Sequence, residues 1–103
     1  MIAAADAADL PALAALLAGS ALLQRYRVTL DSALQSLKTA QEAGDLLLVS
    51  RHQAAIIGLA WLSFAPRVLN AAAYLRLLLV AESARNAGTG SELLAAAEIR
   101  ARE

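Results

Sequence analysis

The chain has 103 residues, 59% of them hydrophobic and 17% charged, with nine acidic and nine basic side chains and no cysteine. That length and apolar content fit one small domain over residues 1–103 and exclude a disordered tail. The charge balance excludes a general field attracting nucleic acid or an anionic membrane. The missing cysteine excludes disulfides, thiolate nucleophiles and Cys metal sites. Asp6 and Asp9 stand where a secretory signal would be basic, and every apolar run falls short of the about 20 residues that span a bilayer, so a soluble, cytoplasmic protein is expected.

In chain order, Met1 to Ala5 reads as a short edge strand. Asp6 and Asp9, three apart, have the pattern of a helix-capping residue with an acid at the third position. Leu10, Leu13, Leu16 and Leu17 follow at helical spacing, Pro11 is tolerated only near the first turn, and Gly19-Ser20 ends the helix. Ala21 to Val28 reads either as helix or as an irregular lid. Thr29 is placed as the next N-cap with Asp31 in the first turn, and Leu30, Ala33, Leu34 and Leu37 form a stripe on a helix that Gly44 stops.

The pattern then changes period. Leu46 to Val49 and Ala54 to Leu62 are apolar runs joined by the polar Arg51-His52-Gln53, which predicts an antiparallel hairpin, with Gly58 marking a bulge or a close backbone approach. Ser63 to Asn70 contains Pro66 and reads as a loop. Ala71 to Val80 is a third strand whose near-continuous apolar character predicts burial on both faces. Ser91 to Arg102 is the last helix, with Leu93, Leu94, Ala97 and Ile99 mostly on one side. Strands cluster instead of alternating with helices, so the expected class is α+β with a mainly antiparallel sheet flanked by helices.

The strand at Tyr74 to Val80 and the last helix are joined by Ala81 to Ala84 and then Arg85-Asn86-Ala87-Gly88-Thr89-Gly90. Glycines at this spacing, opening a helix, present several main-chain N–H groups to an anion. The turn lacks the Gly-Lys-Ser/Thr ending of a P-loop, and no strand follows to complete a βαβ unit. Nothing groups as a metal cluster, and one histidine, His52, makes a Ser-His-Asp arrangement hard to build. His52 reads as a solvated turn residue and Trp61 as core.

Residues 85–90 fit the pattern (Arg or Gln)-x-x-Gly-x-(Gly or Ala), and in this context the chain resembles the GNAT superfamily of acyl-CoA-dependent N-acyltransferases. Leu78-Leu79-Val80 matches the family's strand ending and Ser91-Glu92-Leu93-Leu94 its helix start. The resemblance implies a GNAT-like fold and a transfer of an acetyl group from acetyl-CoA to a primary amine, with no metal. It implies that Arg85, Asn86, Ala87, Gly88, Thr89 and Gly90 hold the pyrophosphate, and that free main-chain groups of Leu78, Leu79 and Val80 pair with the pantetheine arm, one N–H polarising the thioester carbonyl. It also implies either an acceptor lid or ordinary surface for Tyr26 and Arg27, and either a cleft-facing or a sheet-surface position for Tyr74 and Arg76; Glu82 reads as solvated.

Two departures qualify this. Asn86 stands where the family most often has glycine. The chain also stops at Glu103, before the family's fifth strand and the helix that often carries a Tyr acid, so no catalytic acid is assigned, and the fourth-strand stretch offers Tyr74 and Arg76 but no carboxylate, so no base is assigned. The expectation is a C-terminally incomplete domain, a homodimer in which a second copy supplies the missing wall, or a protein that no longer catalyses. The alternative function is an inactive GNAT-fold binding or assembly module that associates through an exposed edge strand.

Overall fold

The computed structural model describes residues 2–65, 72–84 and 88–102. Strand β1 (Ile2–Ala4) leads through a single 3-10 turn, Ala7–Asp9, into helix α1 (Leu10–Ala18). The turn is capped reciprocally. The Asp6 carboxylate accepts from the Ala8 N–H, and the Asp9 carboxylate accepts from the Asp6 N–H, each at 3.0 Å. A short helical turn, α2 (Ala21–Gln24), precedes α3 (Leu30–Glu42). The stretch read as helix or lid is thus part helix and part turn, with Arg27 at φ +59°. Thr29 caps α3, its hydroxyl accepting from the Ser32 N–H at 3.1 Å, and Gly44 at φ +88° ends it.

The sheet is antiparallel in the order β1-β2-β3-β4, with β2 at Leu46–His52, β3 at Ala55–Ala65 and β4 at Ala72–Val80. Side-chain alternation divides the core. Leu47, Val49, Leu59 and Leu79 face α1 and α3, which contribute Leu10, Leu13, Leu17, Ala33 and Leu37. Leu48, Ala60 and Leu62 face the other way, against Leu93 and Ala97 of α4 (Thr89–Arg102). Helices on both faces around a four-stranded antiparallel sheet are the expected α+β layer architecture.

Several local expectations are corrected. The hairpin turn is Gln53-Ala54, one residue later than the polar run suggests, because both residues adopt left-handed backbone (φ +52° and +68°) as a two-residue hairpin requires. The predicted loop from Ser63 begins late, since β3 runs on to Ala65; residues 66–70 lie outside those described. Strand β4 is not buried on both faces. It is the outer strand of the described sheet, and Leu75 and Leu78 are 43% and 37% exposed. Leu30, Leu94 and Ile99, placed in apolar stripes by spacing, are exposed as well: Leu30 sits in the first turn of α3, and only Leu93 and Ala97 among the four α4 positions reach the sheet.

Candidate functional site

Two elements converge on the predicted anion turn. The first is the C-terminal half of β4. The Ala81 N–H donates to the Ile57 carbonyl at 2.8 Å, and the Leu79 carbonyl lies toward Gly58 on β3. By the alternation of an antiparallel ladder, the main-chain groups of Leu79 turn inward and those of Leu78 and Val80 turn to the open edge. Of the three strand residues expected to offer free groups, two are so oriented.

The second element is the start of α4. Gly88 has φ +83°, a conformation costly for any side chain, and a methyl group added there would meet nothing within 4 Å. Its requirement for glycine is therefore conformational. Its carbonyl accepts from the Glu92 N–H at 3.0 Å and so closes the first helical turn. The N–H groups of Thr89, Gly90 and Ser91 are left without intrahelical acceptors, which places partial positive charge at this end. Gly90 faces Val80, whose Cγ2 would lie 3.6 Å from an added Cβ, so the helix start and the strand end are neighbours. Arg85, Asn86 and Ala87 lie outside the described residues.

Gly58 sets how closely α4 approaches. A Cβ there would stand 2.7 Å from Leu93 Cδ1 and 3.3 Å from both Thr89 Cγ2 and the Leu79 carbonyl. Gly58 was noted in the sequence as a bulge or a close approach, and both hold. Register shifts beside it, with Ile57 as the extra residue between Ser50↔Gly58 and Arg51↔Ile56.

A cleft of about 220 Å³ runs between the end of α1 and the end of β4, lined by Leu16, Gly19, Ser20, Leu79, Val80 and Glu82 among others. The α1 side of this wall was missed from sequence. Gly19-Ser20 carried a signal, but it reads equally well as a helix stop.

The other singled-out residues fall elsewhere. His52 is exposed at the end of β2, beside the turn. Trp61 is half-buried against the α1/α3 core, and its indole N–H donates to the Asp45 carboxylate at 3.0 Å. Tyr26 is 74% exposed. Arg76 is exposed and sits over the Trp61 ring, 5.9 Å from its centroid. Asp9 and Arg51 form an ion pair at 2.6 Å that ties the 3-10 turn to β2. The Arg51 hydrogen bond, helped by the Asp6 N–H, holds the Asp9 carboxyl below its ordinary value. No group of His, Cys, Asp or Glu among the described residues has the arrangement of a metal site. No helix among them is long and apolar enough to cross a membrane.

Comparison with known proteins bears on this geometry. A probable acetyltransferase superposes with a TM-score of 0.86 at 21% identity, over 99% of this chain and 71% of its own. A transcriptional regulator from Bacillus halodurans C-125 gives 0.83 at 23% identity, over 99% and 73%. An aminoglycoside 6'-N-acetyltransferase complexed with coenzyme A gives 0.80 at 17% identity, over 99% and 55%. These likenesses establish the fold, and this chain is shorter than each of them. No curated protein matches it in sequence. Residues 16–103 match the acetyltransferase (GNAT) family. That match covers most of the chain, and on it the chain belongs to the acetyltransferase (GNAT) family.

Proposed function

We propose that this chain binds acetyl-CoA along the β4 edge and at the start of α4, and that it serves transfer of the acetyl group to a primary amine. The observation that carries the reading is the juxtaposition of outward main-chain groups at Leu78 and Val80 with the left-handed Gly88 and the N–H groups of Thr89, Gly90 and Ser91, which have no acceptor within the helix.

The donor set fits the ligand. The helix start suits a pyrophosphate, with open space at Gly88 for its approach, and residues 85–87 complete the turn in sequence. The β4 edge suits a chain of amides, which would pair with it as another strand does. The bound thioester supplies an activated acyl carbon. The Leu78 N–H, held by the strand and directed outward, is the donor best placed to stabilise negative charge on its oxygen. In the transfer the amine nitrogen bonds to that carbon, the C–S bond breaks, and the proton lost by nitrogen ends on sulfur through solvent.

Titration with acetyl-CoA and with S-acetyl-pantetheine, which lacks the pyrophosphate and the nucleotide beyond it, tests the assignment. Acetyl-CoA is expected to bind at least about a hundredfold more tightly, the loss of two or more charge-assisted hydrogen bonds. Equal binding, or none by acetyl-CoA, contradicts it.

A second reading is favoured by one observation. Leu75 and Leu78 are exposed on an outer strand, the kind of edge that recruits another chain. On that reading the protein is an inactive GNAT-fold assembly module. Sedimentation separates the two: a monomer across concentration argues against assembly, and a dimer that does not bind acetyl-CoA argues for it.

A further inference from the structure

Two further cavities lie on the α1/α3 side of the sheet, beside the middle of β4. One, of about 430 Å³, has a mixed lining: Gln35, Ser36 and Thr39 of α3, with Ala40 and Ala43, together with Asp45, Trp61 and Arg76. The other, of about 160 Å³, is apolar, lined by Leu17, Leu23, Val28, Leu77 and Trp61. Trp61 and Ser36 line both, so the two cavities are neighbours.

Arg76 stands in this groove because of a bulge. Trp61 pairs with Leu77 and Leu62 with Leu75, so Arg76 is the extra residue of β4, without a partner on β3. Bulges re-aim side chains, and here the guanidinium lies over the indole at 5.9 Å. The ring is held in turn by its N–H to the Asp45 carboxylate. Among the described residues no carboxylate pairs with Arg76. A guanidinium seated on an aromatic face, with its N–H fork unspent, suits bidentate recognition of a planar anion. The apolar cavity beside it has the size of a pocket that accommodates a benzene ring.

We propose that these cavities form the acceptor subsite and that it takes an apolar α-amino acid, the carboxylate on Arg76 and the side chain in the pocket of Leu17, Leu23, Val28 and Leu77. This rests on the acetyl-CoA reading for the direction of transfer, since the pocket reaches β4 at Leu77, the residue before the outward-facing Leu78.

Trp61 is the only tryptophan in the chain and reports the subsite directly by its fluorescence. The probes are N-acetyl-L-leucine and N-acetyl-L-leucinamide, which differ only in the carboxylate. The acid is expected to change Trp61 emission saturably and to bind about tenfold or more tightly than the amide, with the difference shrinking as salt is raised. Arg76→Gln removes the preference for the acid, whereas Arg100→Gln on the opposite face of the sheet retains it. Equal affinity for acid and amide, no saturable change with either, or a preference that survives Arg76→Gln overturns the inference. Acetyl-CoA binding is scored separately: a protein that binds acetyl-CoA but shows no acid preference refutes the acceptor subsite alone. One that prefers the acid but does not bind acetyl-CoA refutes the cofactor reading and leaves the carboxylate site.

Discussion

At the level of single residues, the backbone places glycine and non-glycine in instructive contrast. Ala54 occupies φ +68° in the hairpin turn, where an L side chain is strained. Ala54→Gly is expected to raise stability by about 0.5–1 kcal/mol in urea unfolding. Gly58 is the reverse case. Gly58→Ala drives a methyl group to 2.7 Å from Leu93 and 3.3 Å from the Leu79 carbonyl. Leu93 is fully buried and its tip has little room to yield, so a loss of about 1–3 kcal/mol is expected from the same measurement. The Asp9–Arg51 pair makes a pH prediction. Because the folded-state pKa of Asp9 is lowered, the pair stabilises the protein above the ordinary carboxylate value, and that contribution disappears as pH falls through the lowered value. Asp9→Asn is therefore expected to lower the urea midpoint at about pH 7 and to lower it progressively less as pH falls below the ordinary carboxylate range. A loss that does not shrink as pH falls would assign the effect to packing.

At the level of elements, caps and strands differ in how openly the sequence displays them. Thr29 and Asp6 cap through atoms two or three residues away, so a local pattern suffices to place them. Thr29→Ala is expected to cost about 1 kcal/mol and to lower the melting temperature by about 4–8 °C for a domain of this size. Gly44 was likewise readable, since a left-handed position at the end of a helix favours one residue type. The burial of β4 was not readable. An apolar run of Leu75, Leu77, Leu78 and Leu79 looks the same whether or not another layer covers it, and its exposure depends on neighbours distant in sequence. The hairpin turn was misplaced for a related reason. Gln53 and Ala54 are poor left-handed formers, and the strand pairing on either side imposes what local preference would not select. In the candidate site, the sequence pattern marked Gly88 and Gly90 before a helix, and the structure shows α4 starting at Thr89. The α1 wall at Gly19-Ser20 and the aim of Arg76 required the sheet, its register and its bulge.

At the level of the molecule, an antiparallel sheet layered between α1/α3 and α4 delivers two main-chain devices to one place: an outward strand edge and a helix start. Neither depends on a particular side chain. The account stands on acetyl-CoA being held there. Its most direct test is the melting temperature with and without acetyl-CoA, for the native protein and for Gly88→Val. A ligand at a hundredfold excess over its Kd contributes about 2.7 kcal/mol, a shift on the order of ten degrees for a chain of this length. The native protein is expected to show that shift. Gly88→Val, which forces a branched side chain into φ +83° at the mouth of the turn, is expected to melt lower and to show none. A native protein whose melting temperature does not move in saturating acetyl-CoA, or a Gly88→Val variant that shifts as much as the native one, would contradict the account.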